Sequence, residues 1–505
     1  MSKATLKAGF WSLLAALTLA AGCNFAPKYN PPPMSAPEAF KETNGWKTAE
    51  PSDAVIKGNW WEMFNDPQLN ELEEQVVISN QSVAAALQNF LSARAVAKQA
   101  RSELFPTISA APSITKTRPS KNQGTATVPG ASGGSGSSGR IFSDYTLPLD
   151  ATWEPDLWGS IRNTVAANTF AAQASAAQLE NMRLTIQAEL AVDFFELRAQ
   201  DELINVYSST ITNYRASLDL TKTLFETGID SDLDVAEADS LLQTTLAEAT
   251  GLGVLRAQYE HAIALLVGQP ASTFSLTPNP HHDLPPLIPL GVPSQLLERR
   301  PDIAAAERTV AAANASIGIA RAAYFPTLSL TGAGGFQSSS INNLLTASSL
   351  YWAAGATATE TIIDFGKRKQ AVQQAWANYR ADAATYRETV LAALQQIEDN
   401  LAALRILESE DAQQLIAVKA AQRNLDLAME RYRLGINSYL NVITAQNSLL
   451  SNQQTDVTIR SQQMTAAVQL VMALGGGWDS TNLPSRKAVL HSSSTNAIAA
   501  TPTNN

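Results

Sequence analysis

Cysteine is nearly absent. The 505-residue chain has one, Cys23, which excludes an internal disulfide framework. Histidine is scarce at four residues. The adjacent His281-His282 lies in a Pro-rich stretch without a nearby cysteine or a spaced third ligand, so no metal site is expected. Nucleophile-elbow, P-loop, zinc-helix and dinucleotide signatures are all missing, and catalysis is not expected. Beyond the N-terminus no segment reaches roughly 18 uninterrupted apolar residues, which excludes a bundle of membrane-spanning helices. Mean hydropathy is -0.09. A formal net charge of -10 argues against nucleic acid as a partner.

The most informative absence is local. From Ser160 to Thr227, and again from Lys367 to Leu434, there is neither glycine nor proline. As helices these stretches would run roughly 100 Å each at about 1.5 Å per residue. They mix Glu, Gln, Arg and Asp with Ala, Leu and Val, as an aqueous coiled coil does. A helix of that length cannot bury its face in a compact globule and needs lateral partners. Each stretch ends at a glycine turn, Gly228 or Gly435. Returning helices are expected from Leu233 to about Leu266 and from Leu440 to about Leu474. The result is two helical hairpins.

What is present is present twice. Ala100-Arg101 followed by Phe105-Pro106-Thr107 returns as Ala320-Arg321 followed by Phe325-Pro326-Thr327. Asp156-Leu157-Trp158-Gly159 is echoed by Ile363-Asp364-Phe365-Gly366, and the segment after Gly228 by the one after Gly435. The order is kept at spacings of 207 to 220 residues, which marks an internal duplication. Pro106 and Pro326 each stop a helix and let the chain continue extended. Alternation then predicts strands. Ile108, Ala110, Pro112 and Ile114 share one face. So do Tyr145, Leu147, Leu149, Ala151 and Trp153, then Leu328 and Leu330, then Trp352, Ala354, Ala356, Ala358 and Ile362, with Glu360 the exception. Threonines and serines dominate the other face. Four strands of about ten residues, apolar on one side, fit a transmembrane barrel or a soluble sandwich. The long polar links Ser120 to Ser143, with its Gly133 to Gly139 core, and Gln337 to Ser349 favour the barrel. Four strands cannot close one, and open edges are forbidden in lipid. Three copies of four strands give the twelve that a barrel can use.

Lys3 and Lys7 precede an apolar run from Ala8 to Ala21, as in a secretory signal. The run ends Leu19-Ala20-Ala21-Gly22-Cys23. That reads as a lipoprotein box, cleaved before Cys23 and acylated there, although Leu lies four residues before the cysteine instead of three. Covalent lipid on Cys23 is the only prosthetic group expected. Asn24 is compatible with sorting to the outer membrane. The chain divides into a signal at 1–22, a lipid anchor and Pro-rich tether at 23–60, a first repeat at 61–269, and an inter-repeat equatorial segment at 270–301. A second repeat at 302–478 and a disordered tail at 479–505 complete it. Within the first repeat, Asp66 and Pro67 open a helix whose apolar positions continue to Leu104.

These features together resemble the outer-membrane efflux proteins of the TolC superfamily, in the OprM/NodT lipoprotein branch. The resemblance rests on the Ala-Gly-Cys start with Ala26-Pro27-Lys28-Tyr29, Trp60-Trp61 through Asp66-Pro67, and Arg299-Arg300-Pro301-Asp302-Ile303. The doubled Phe-Pro-Thr and Arg431-Tyr432 before Gly435 complete it. It implies an α+β membrane protein: each chain gives four strands to a trimeric β-barrel, and its helices form a coiled-coil periplasmic tunnel. It also implies docking to a periplasmic adaptor and an inner-membrane pump of the RND type. The resemblance places a periplasmic gate at the hairpin tips, with Tyr432 paired to Asp234. Asp230, Asp232 and Glu237 would supply acidic charge on the first tip. Asn437 and Asn441 stand where the family carries Arg and Asp. The expected function is an exit duct for small-molecule efflux. A type I protein-secretion duct and a lipid-anchored structural coiled coil remain as alternatives.

Overall fold

The computed structural model describes residues 24–34, 37, 40–42, 58–118, 120, 141–280, 285–286, 288 and 299–491. Cys23, His281-His282 and the Gly133 to Gly139 loop lie outside them. The first repeat contains α1 (Pro67–Ser79), α2 (Gln81–Ser102), β1 (Thr107–Ala110), β2 (Ser113–Thr117), β3 (Phe142–Trp153), α3 (Ser160–Glu226) and α4 (Asp232–Leu266). The second contains α5 (Pro301–Ala322), β4 (Thr327–Ser338), β5 (Leu350–Thr359), α6 (Lys367–Arg433) and α7 (Tyr439–Ala473). A short α8 (Arg486–His491) comes last.

The duplication holds in length. The helices α3 and α6 have 67 residues each, α4 and α7 have 35 each, and α2 and α5 have 22 each. The offset is 207 throughout the hairpins and 220 across the short helices. Both long helices start behind a left-handed glycine, Gly159 at φ 77° and Gly366 at φ 93°, a conformation that glycine adopts without steric cost. Asp156 accepts from the backbone N–H of Ile161 and Arg162 and pairs with Arg162 Nε at 3.0 Å. Asp364 accepts from the N–H of Arg368 and pairs with its Nε at 2.6 Å. These carboxylates hold the free amides of each helix's first turn.

The helix expected to continue from Pro67 to Leu104 is broken at Asn80. The Asn80 side chain accepts from the N–H of Ser82 and Val83 and so caps α2. Its amide also donates to Leu266 O at 2.8 Å, at the end of α4. The second repeat has the same joint built differently. Arg300, the N-cap residue of α5, donates to Ala473 O at 2.9 Å, at the end of α7, while its other nitrogens hold Asp302. The terminal carbonyl of each returning helix is therefore satisfied by the N-cap residue of its own repeat's 22-residue helix.

The sheet is antiparallel in the order β1-β3-β4-β5, with β2 also on β3. The first expected strand appears as two pieces in one register: Ala110 faces Leu149 and Ser113 faces Thr146. That register sets Pro112 opposite Leu147, beside Pro148. Neither proline has an N–H to donate, and the ladder opens there. The β5 strand ends at Thr359, so Glu360, Thr361 and Ile362 fall outside the strand expected for them. Across all strands the register aligns the apolar sides. Ile108 faces Ala151, Leu147 faces Phe336, Leu330 faces Ala356, and Gly334 faces Trp352. The opposite face carries Thr107 with Thr152, Thr146 with Gln337, and Thr327 with Thr359. No helix of the described residues is long and apolar enough to cross a membrane.

The two chain ends occupy matching positions. Asn314 and Arg321 on α5 donate to the carbonyls of Pro27 and Phe25. Their counterparts on α2, Arg94 and Arg101, donate to those of Val489 and Leu490. The tail expected to be disordered from 479 is thus ordered as far as His491, with Val489 buried against Ala97 and Ala172.

Candidate hairpin-tip gate

Both tips form the same chain reversal. At the first, Ile229 N–H donates to Leu224 O and Gly228 N–H to Phe225 O, each at 2.9 Å. At the second, Ile436 N–H donates to Arg431 O at 2.9 Å and Gly435 N–H to Tyr432 O at 2.8 Å. Gly228 at φ 77° and Gly435 at φ 70° supply the left-handed residue that this helix stop requires.

The tips differ in how the returning helix is capped. Ser231 and Asp234 form a reciprocal capping box at the start of α4. Ser231 Oγ donates to Asp234 Oδ2 at 2.6 Å, and Asp234 N–H donates back to Ser231 Oγ at 3.3 Å. In the second tip Asn441 stands at the matching position, and Ser438 makes no side-chain cap. The Asp234 carboxylate is therefore turned to its own helix terminus, and the expected Tyr432–Asp234 pair does not form.

Tyr432 instead donates to Asp230 Oδ2, four residues earlier in the first tip's turn, and lies 2.9 Å from Thr221 Oγ1 on α3. The Tyr432 side chain is buried against Tyr439, their ring centroids 5.2 Å apart. Burial first, then the bond to Asp230, hold its phenol well above the usual range, so the hydroxyl stays protonated and donating. The Tyr439 phenol is pushed up to about 12 by burial, with smaller contributions from Glu237 and Asp234. Tyr432, Tyr439, Tyr214, Leu218, Leu242 and Val442 pack into one apolar core joining the two hairpins just behind the tips.

Two further links, missed in the sequence, extend this seam. Gln446 Nε2 on α7 donates to Ser217 Oγ on α3 at 3.0 Å. Gln454 on α7 donates to the Tyr207 hydroxyl on α3, which in turn donates to Glu248 on α4. Asp232 is exposed and Glu237 half-buried, and neither makes a side-chain hydrogen bond among the described residues. Asn437 is half-buried and Asn441 exposed, so the second tip presents no carboxylate at these two sites. No cluster of metal-ligating side chains occurs among the described residues.

The tips thus combine an inter-hairpin polar latch with a cluster of partly exposed acids, at the far end of two long helices from an amphipathic sheet. Comparison with known proteins agrees with that arrangement. The model of the family described as outer membrane efflux protein matches residues 72–269 and 292–476, one segment in each repeat. The probable efflux pump outer membrane protein TtgC of Pseudomonas putida is 30% identical over 472 residues, covering 92% of this chain and 95% of TtgC. The solvent efflux pump outer membrane protein SrpC of Pseudomonas putida is 31% identical over 467 residues, covering 92% of this chain and 97% of SrpC. The solved outer-membrane channel OprN superposes with a TM-score of 0.81 at 28% identity, covering 90% of this chain and 100% of OprN. With both repeats matched and the relatives covered almost end to end, the chain belongs to the outer membrane efflux protein family, the bacterial outer-membrane channels that extend into the periplasm.

Proposed function

We propose that the chain is one third of a trimeric exit duct, through which small molecules leave the periplasm for the exterior. One observation supports this most strongly. The duplicated helices α3 and α6 have equal length, yet α3 buries 29 side chains and α6 only 10. Leu184 on α3 is 7% exposed, while its counterpart Leu391 on α6 is 58% exposed. The α3 helix packs against both short helices, whereas α6 packs against α5. A neighbouring copy supplying its α2 and α4 to α6 restores the missing contacts. The sheet asks for the same partner, because β5 and the β1–β2 strand are open edges of an amphipathic sheet.

The hairpin tips form the periplasmic gate. Tyr432 and Asp230 latch the two hairpins of one protomer, and Asp232, Asp234 and Glu237 add negative charge around the axis. A periplasmic adaptor and an inner-membrane RND-type pump open the tip and supply the energy; the duct performs no catalysis. The efflux pumps to which the relatives belong, including one for solvents, support a small-molecule cargo over a secreted protein. Cys23 carries the lipid anchor. Asn24 and Phe25 come directly after it, and the Phe25 ring stacks on Phe325 at 4.3 Å. That contact holds residue 25 at the helix-to-strand switch, where a membrane surface would meet the sheet, and so supports an anchor two residues earlier in sequence.

The test is the mass of the detergent-extracted assembly, with planar-bilayer conductance from the same preparation. A trimer of low, tip-sensitive conductance is expected. A monomer or dimer without conductance would overturn the duct reading.

A further inference from the structure

We propose that an aromatic stack between Phe365 of one copy and Phe105 of the neighbouring copy closes the seam between protomers, where the sheet meets the helices. The proposal rests on the trimeric reading above. Within one chain the corresponding seam is already visible. The Trp158 ring, just ahead of α3, stacks on the Phe325 ring, just after α5, with centroids 4.9 Å apart and planes 23° apart. Trp158 Nε1 also donates to Pro326 O at 2.7 Å. This contact pins the first repeat to the second at the foot of the sheet.

The duplication carries both partners to new places. At the hairpin offset of 207, Trp158 corresponds to Phe365; at the short-helix offset of 220, Phe325 corresponds to Phe105. One step around the ring takes the α3–α5 pair onto α6 and the next copy's α2, so Phe365 falls on Phe105 of the neighbouring copy. Both rings are open for it. Phe365 is 101% exposed and Phe105 is 61% exposed, although Trp158 and Phe325 are half-buried. Phe365 is also held in the left-handed region at φ 51°, unusual for a bulky residue. Gly366 N–H donates to Asp364 Oδ1 at 3.0 Å, which fixes the turn that presents the ring. Among the described residues nothing takes up this ring, while the counterpart in the first repeat is fully engaged. Offset stacking of two aromatic rings favours such a contact beyond the area that it buries.

The test uses the full-length chain with Phe105→Cys and Phe365→Cys combined, treated with a short bis-maleimide after extraction. Most of the protein should run as covalent dimers and trimers. Either single variant, with Cys23 still present, should give no more product than the natural chain. Because a cysteine pair removes both rings, Phe365→Trp provides a second reading. It restores the residue type of Trp158 and offers a donor to Pro106 O of the neighbouring copy, so the trimer should dissociate at a higher temperature in detergent. Phe365→Ala should dissociate at a lower one. A trimer by mass whose double-cysteine form cross-links no better than the single variants would overturn the seam and leave the trimer standing. Such a result would assign Phe365 to the lipid headgroups instead. A monomer by mass would overturn both.

Discussion

The Tyr432 hydroxyl is bonded to Asp230, 202 residues away in sequence and on the other hairpin. This hydrogen bond runs from a buried phenol to a carboxylate, and Thr221 sits beside it. A charge-assisted bond of this kind contributes about 1.5–3 kcal/mol. Removing it with Tyr432→Phe or Asp230→Ala should shift the closed-to-open equilibrium of the tip by roughly tenfold or more. Single-channel recording should show that rise in either variant and little further change in the double variant. Asp234→Ala should leave conductance near the native level while weakening the α4 cap by about 1 kcal/mol. A rise with Asp234→Ala alone would return the latch to that residue.

The latch occurs once among the described residues, and the positions that duplication would offer for a second one, between copies, carry different residues. Phe225 occupies the position that matches Tyr432, and Asn437 the position that matches Asp230. A phenylalanine ring has no hydroxyl to give. In the proposed trimer the six hairpins would then hold together as three latched pairs, and opening is expected along the unlatched seams. Combining Phe225→Tyr with Asn437→Asp should install a second latch and push conductance below the native value. Unchanged conductance in a correctly assembled trimer would separate gating from these positions.

The joints between long and short helices make a prediction about stability. Asn80 caps α2 and also satisfies Leu266 O, while it is itself buried. Asn80→Ala removes a cap and leaves a buried carbonyl unpaired, at a cost of about 2 kcal/mol. Arg300 holds Asp302, Gln396 and Ala473 O from a buried site. Truncating it leaves an uncompensated group, and Arg300→Ala should cost about 3–5 kcal/mol. Detergent melting of the assembled protein checks the order, with Arg300→Ala the lower.

The sequence was most readable where backbone chemistry speaks alone. Glycine-free and proline-free runs marked α3 and α6 to within a residue, Gly228 and Gly435 marked the turns, and Pro106 and Pro326 marked the switches. Alternating residues marked the sheet faces. It was least readable where one side chain chooses between neighbours. Asn80 lies in an uninterrupted apolar rhythm, and only the carbonyl of Leu266, far away in sequence, reveals why the helix breaks there. Asp230 and Asp234 are four residues apart, in the turn and at the start of α4, and chemically alike. Ser231 decides between them by drawing Asp234 into its own cap. The α8 helix was hidden because its Ser/Thr/Asn-rich surroundings suggest no core. Its signal was instead on α2, where Arg94 and Arg101 repeat the positions of Asn314 and Arg321.

Lipidation can be tested independently of the channel. Cys23→Ser should remove the acyl chains, detected as a mass loss on the mature N-terminus, while trimers still form because the sheet and helices hold them. A variant still processed and acylated at position 23 would remove the anchor assignment.

Glu73 makes the stability of the fold depend on pH. It is fully buried on α1, and neither carboxylate oxygen has a hydrogen-bond partner among the described residues. Burial raises its pKa well above the usual carboxylate range, so the folded chain keeps it protonated where the unfolded chain releases the proton. The sign comes from linkage. Below the unfolded pKa, near 4.3, both states hold the proton and nothing is lost. As pH rises from there toward the folded pKa, the unfolded state gains, and stability falls by up to about 1.4 kcal/mol per pH unit. Glu73→Gln keeps the shape and removes the ionisable proton. Its melting temperature in detergent should match the native protein at pH 4 and exceed it by a growing margin as pH rises toward the folded pKa. A constant difference across that range would mean that Glu73 does not titrate on unfolding, and that its burial is relieved by a partner that the folded chain acquires on assembly.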